Sequence, residues 1–151
     1  MDEIELTPEA CNCAAIRQAA RHVTQFYDHV MAPVGLRTSQ FSMLAKLKRL
    51  GPMTINALAE VMVMDRTTLG RNILPLQREG LIAVAQGRDD RRRKELRLTE
   101  AGAARLRAAT KKWAQAQQRF EATFGIKSTQ ELRALLKAVT GTEFEGRAEA
   151  R

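Results

Sequence analysis

Between residues 11 and 31 the apolar positions Ile16, Ala19, Ala20, Val23, Phe26, Tyr27 and Val30 return at steps of three and four. This spacing predicts an amphipathic helix from Cys11 to about Met31, closed by Pro33 and Gly35. Thr38 reads as the N-cap of a second, largely buried helix marked by Phe41, Leu44, Leu47 and Leu50, which stops at Gly51 and Pro52. Thr54 caps a short third helix with Ile55, Leu58, Ala59 and Met62 turned inward. The few residues before Asp65 then make a tight turn into a fourth, whose inner face is Leu69, Ile73 and Leu76. Helix, turn and helix follow from spacing alone.

Pro75 removes the amide that would bond the carbonyl of Arg71, which predicts a bent but unbroken last turn before Gly80. There the pattern changes: Leu81 to Ala85 and Glu95 to Leu98 read as paired strands, with Gly87 opening the loop between them. Thr99 starts a long helix to about Phe124, and a last helix carries Leu132, Leu135, Leu136 and Val139. The expected fold is mainly α with a small β-hairpin wing. Residues 36–98 form a winged helix-turn-helix, and 11–34 and 99–140 form flanking helices, all within one domain spanning 1–151. The apolar stripes of the flanking helices exceed what so small a core needs, which predicts a two-fold homodimer through them. Only the tail after Gly141 reads as frayed.

Composition narrows the function. A chain of 151 residues has room for one core and little for separate substrate and catalytic domains, and no catalytic constellation stands out, so no enzyme is expected. The formal charge is +8, and residues 66–97 hold nine Lys or Arg against four Asp or Glu. The first ten residues oppose it with Asp2, Glu3, Glu5 and Glu9. Because the basic stretch coincides with the helix-turn-helix and wing, double-stranded DNA is the expected partner. Arg66, Thr67, Thr68, Arg71 and Asn72 lie on the outer face of the fourth helix, suited to bases and phosphates. Arg88, Arg91, Arg92, Arg93 and Lys94 crowd the hairpin tip, where cations can follow a groove. In a dimer this predicts a pseudo-palindromic operator, read at two major grooves about 34 Å apart.

No apolar run is long enough to span a membrane and the start lacks a secretion pattern, so a cytoplasmic protein without membrane contact is expected. Cys11 and Cys13 make no disulfide framework, and at i and i+2 on a helix they point about 200° apart. His22 and His29 share a stripe with Cys11 but stand roughly 10 Å apart, too far for one ion within one chain. No metal or other cofactor is expected. Trp113, Phe120 and Phe124, with Leu106, read as interface and core, and Met43, Met62 and Met64 as packing.

The runs Leu58-Ala-Glu60, Asp65-Arg-Thr-Thr-Leu69, Leu76-Gln-Arg-Glu-Gly-Leu-Ile82, Asp90-Arg-Arg92 and Leu98-Thr-Glu-Ala-Gly102 together carry a resemblance. From Cys11 to about Val139 the chain resembles the MarR (multiple antibiotic resistance regulator) family of bacterial repressors. The resemblance implies a dimeric repressor on an inverted-repeat operator, released by a small aromatic molecule, an oxidant or a metal. It makes Arg92 the wing arginine that enters the minor groove, Arg71 a recognition-helix arginine, and Asp65 an anionic partner for Arg92, a role compatible with its reading as the N-cap of the fourth helix; Asp65 and Asp90 are thus expected to position the wing. A narrower likeness to peroxide-sensing members puts Cys13 on their reactive cysteine and Tyr27 on a tyrosine that bonds the thiol. Thr38 and Arg17 replace two further tyrosines of that arrangement. The alternative functions are therefore a redox-sensing regulator acting through Cys13, a thiol redox protein using Cys11 and Cys13, and a winged helix serving protein contacts or nonspecific nucleoid binding.

Overall fold

The structure is a computed structural model that describes residues 7–145. Its helices are α1 (Asn12–Met31), α2 (Thr38–Leu50), α3 (Ile55–Val61), α4 (Arg66–Arg78), α5 (Glu100–Phe124) and α6 (Ile126–Thr140). Three strands, β1 (Met53–Thr54), β2 (Ile82–Gln86) and β3 (Lys94–Leu98), form an antiparallel sheet in the order β1-β3-β2. The chain packs as two compact units, residues 1–114 and 115–151, divided within α5. Residues 1–6, with three of the four acidic residues of the N-terminus, and the part of the tail after Glu145 lie outside the described residues.

The first unit is built around Met31, Leu36, Met43, Leu44, Leu58, Leu69, Ile73, Leu76, Leu96 and Leu106, which α1 to α5 and the sheet bury together. At roughly 1.5–3 kcal/mol for each large apolar side chain removed from water, this cluster is the main force holding the helix-turn-helix against the sheet. Two differences from the expected pattern concern α2. Leu50 is 51% exposed rather than inward, because the buried face consists of Phe41, Met43, Leu44 and Leu47. Thr38 lies inside the helix rather than capping it. Its amide and hydroxyl both donate to Asp28 Oδ1, at 2.7 and 2.8 Å, while Gln40 Oε1 accepts the amide of Arg37 at the cap position. A carboxylate on α1 is a stronger acceptor than a neutral oxygen, and these bonds tie α1 to α2.

The helix-turn-helix owes its sharpness to a left-handed cap. The amide of Met64 donates to Ala59 O at 2.9 Å and that of Val63 to Glu60 O at 3.1 Å, the pair of bonds that ends a helix in a Schellman turn. Glycine is usual at the left-handed position, and here Val63 holds it with φ 53°. The same pattern ends α4 with glycine in place: Leu81 donates to Leu76 O, Gly80 to Gln77 O, and Gly80 has φ 72°. Helix α4 runs uninterrupted through Pro75.

β2 begins at Ile82, one residue later than the apolar run suggests, because the Leu81 amide belongs to the cap and its carbonyl accepts the amide of Thr99 at 3.1 Å. Ile82 pairs with Leu98 and Val84 with Leu96, while Met53 pairs with Leu96 from the other side. The sequence reading missed β1, since two residues carry no alternation to detect. In α1 only Tyr27, Val30 and Met31 are buried; the earlier part of the stripe, with Ile16 at 43%, stays uncovered.

In the second unit Gly125 turns the chain with φ 101°, and the hydroxyl of buried Thr129 donates to Gly125 O at 2.7 Å. Arg133 lies 3.8 Å from Glu121, and Phe120 and Phe124 contact at 5.6 Å between ring centres. Of the expected apolar stripe of α6, Leu132 is half-buried, while Leu135, Leu136 and Val139 are exposed. Among the described residues no helix is long and apolar enough to cross a membrane.

Candidate nucleic-acid interface

Asp65 starts α4. Its Oδ1 accepts the amide of Thr68 at 2.8 Å and its Oδ2 the Thr68 hydroxyl at 2.5 Å. The Thr68 hydroxyl bond, then the amide bond, hold this carboxyl below its ordinary pKa. With Leu69, Ile73 and Leu76 buried, the opposite face carries the polar residues expected to meet DNA, but they are not equivalent. Arg66, Thr67 and Arg71 are exposed, and no other residue bonds their side chains among the described residues. Thr68 is exposed but engaged with Asp65. Asn72 is half-buried and donates its amide nitrogen to Met64 Sδ at 3.6 Å, so it braces the turn before α4.

The wing tip is organised by its own carboxylate. Asp90 Oδ1 accepts the amide of Arg92 at 2.9 Å, the Asp90 carbonyl accepts that of Arg93 at 3.1 Å, and the Gly87 amide donates to Arg93 O at 2.7 Å. A Cβ at Gly87 would stand 2.8 Å from the Asp90 carbonyl, so the closed tip requires glycine there. Arg88, Arg91, Arg92, Arg93 and Lys94 all face solvent around it. The contact of Arg93 Nε with Asp90 is 3.9 Å long and that side chain is 74% exposed, which leaves its charge available. Asp65 forms no ion pair with Arg92 among the described residues; its two oxygens accept the amide and hydroxyl of Thr68.

The sequence reading missed Arg97, whose guanidinium lies 3.8 Å from Glu95 and whose buried Nε has no hydrogen-bond partner among the described residues. It also missed how the wing is anchored. The Thr99 hydroxyl donates to Gly80 O at 2.6 Å and accepts the Gly102 amide at 3.0 Å. A Cβ on Gly102 would fall 2.1 Å from Leu81 O, so this glycine lets α5 press directly on the chain entering β2.

The residues expected to sense oxidants are not brought together within one chain. Cys11 is the N-cap of α1, its Sγ accepting the amide of Ala14 at 3.4 Å, and Cys13 is exposed in the first turn. Tyr27 is buried on the same unbroken helix, about 21 Å from Cys13 at ~1.5 Å per residue. Thr38 gives its hydroxyl to Asp28. Arg17 is exposed on α1.

A capped recognition helix beside a cationic two-stranded wing defines a winged helix-turn-helix DNA-binding protein. The MarR family model matches residues 36–94. The solved structure of the regulator MosR of M. tuberculosis in complex with DNA is 34% identical, with a TM-score of 0.74 over 89% of this chain and 99% of that one. The transcriptional repressor CouR bound to a 23-mer DNA duplex is 26% identical, with a TM-score of 0.79 over 87% of this chain and 94% of that one. The HTH-type transcriptional regulator YwoH of Bacillus subtilis is 33% identical over 76 residues, half of this chain and 56% of that protein, so the match spans little more than half of that relative. The chain belongs to the MarR family: it is a DNA-binding transcriptional regulator of a family that works by binding, not by catalysis.

Proposed function

We propose that this protein is a homodimeric repressor of a pseudo-palindromic operator. The observation that carries the reading is the wing tip, where Asp90 and Gly87 hold five exposed cations on the hairpin that follows α4. Arg66, Thr67 and Arg71 read the major groove, Thr68 and Asn72 hold the helix that presents them, and Arg92 leads Arg88, Arg91, Arg93 and Lys94 along the adjacent minor groove and its phosphates. Each unit leaves apolar residues uncovered, Ile16 in the first and Leu135, Leu136 and Val139 in the second, and these are available to a second copy. Selection of duplexes from a randomised pool tests this directly. An inverted repeat whose half-sites are one helical turn or a multiple apart is expected, and recovery of unrelated sequences would refute it.

Release follows when a small aromatic ligand, or an oxidised Cys13, binds or stabilises a dimer whose recognition helices are spaced wrongly for the operator. Exposure of Cys13 in the first turn of α1 supports the oxidant route. Hydroperoxide is expected to release the operator from the wild type and to leave the Cys13→Ser complex intact. An equal response from both would remove Cys13 from the mechanism.

A further inference from the structure

The start of α5 holds the trailing end of the recognition helix. Thr99 bonds Gly80 and Leu81, and Gly102 sits against the Leu81 carbonyl, so the link from α4 to β2 is fastened at three points. One turn further along α5, Arg105 adds a fourth attachment and extends it to another part of the fold. Its Nη1 lies 3.6 Å from Glu79 Oε2 and donates to Val34 O at 3.3 Å. Glu79 is the C-cap of α4, while Val34 closes the short turn that joins α1 to α2. Gly35, left-handed at φ 69°, lets that turn approach: a Cβ there would stand 3.2 Å from the same nitrogen.

We infer that Arg105 is a positioning residue for DNA reading: a single guanidinium fixes the end of α4 relative to the α1–α2 turn and so sets the pose in which Arg66 and Arg71 meet the groove. This rests on α4 being the helix that reads DNA. Chemistry favours the pairing, because a carboxylate at a helix C-terminus is repelled by the helix dipole and a cation beside it relieves that. Energetically the pair adds little to stability, since the two side chains are 36% and 50% exposed. Its consequence is geometric. Arg105 stands at the opposite end of α4 from Arg66, about 20 Å along the helix axis, so it acts through the helix and not by touching the same bases.

The test compares two probes, the tightest duplex the wild type selects from a randomised pool and a random duplex of equal length, titrated over a range of salt. Arg105→Met is expected to weaken the selected duplex about three- to tenfold while leaving the random duplex and the salt slope unchanged. Glu79→Gln should give part of the same loss, the double variant no more than Arg105→Met, and Arg105→Lys a partial rescue. If Arg105→Met fails to fold by its melting curve, Glu79→Gln decides, because it alters one exposed carboxylate. An unchanged selected-to-random ratio in the variants overturns the inference. So does a parallel loss on both probes with the salt slope reduced by about one, the mark of a phosphate contact. Should Arg71→Ala leave the ratio intact as well, the assignment of α4 itself has failed.

Discussion

At the scale of single residues, the proposed interface separates exposed side chains offered to DNA from those engaged within the protein. Arg92 is exposed and its backbone is fixed by Asp90, so Arg92→Ala is expected to weaken binding on all sequences and to reduce the salt slope by about one phosphate contact. Arg71→Ala should instead cost roughly 1–3 kcal/mol mainly on the operator, if its guanidinium reaches a base edge. Competition binding at several salt concentrations distinguishes the two. Asp65 makes a prediction in pH. The Thr68 bonds depress its folded pKa, so its stabilisation is fully present above the ordinary carboxylate pKa and disappears as pH falls through the lower folded value. Melting curves of wild type and Asp65→Asn should accordingly differ at neutral pH and converge in acid; a constant difference would count against this cap as the cause. Asp65 was legible as a cap because its bonds reach only three residues. The bonds of Thr38 to Asp28 and of Asn72 to Met64 were not, because each depends on how separate elements meet.

At the scale of elements, the helix-turn-helix carries a local conflict. Val63 is β-branched, 51% exposed and left-handed, a conformation that costs an L-residue roughly 1–2 kcal/mol. Glycine removes that strain and loses little buried surface, at some cost in unfolded-chain entropy. Val63→Gly is therefore expected to stabilise the fold by roughly 0.5–1 kcal/mol in chemical denaturation, and a destabilised variant would show that the valine side chain packs usefully. Apolar spacing located α1 to α4 and α6, and the Thr99 cap signal located α5, because helical period and capping are local properties. Spacing failed for the two-residue β1 and misplaced the start of β2, where the cap of α4 and Thr99 take the backbone groups of Leu81.

At the scale of the whole molecule, assembly is the central expectation. Leu135 is 67% exposed and Ile126 63%, beside Leu136 and Val139. Light scattering should find a dimer, and Leu135→Glu should shift it toward monomer with a loss of operator affinity exceeding its effect on the random duplex. A wild-type monomer that still selects an inverted repeat would refute the link between dimer and operator. The charge, the wing and the recognition helix were readable along the chain because periodicity, capping and turn chemistry act over a few residues. Contacts distant in sequence belong to the folded state: the bonds of Arg105 to Val34 and Glu79, and the pairing of β1 with β3. Local rules say which surfaces a segment offers; which surfaces then touch is settled by the burial of the shared core, and only packed coordinates reveal it.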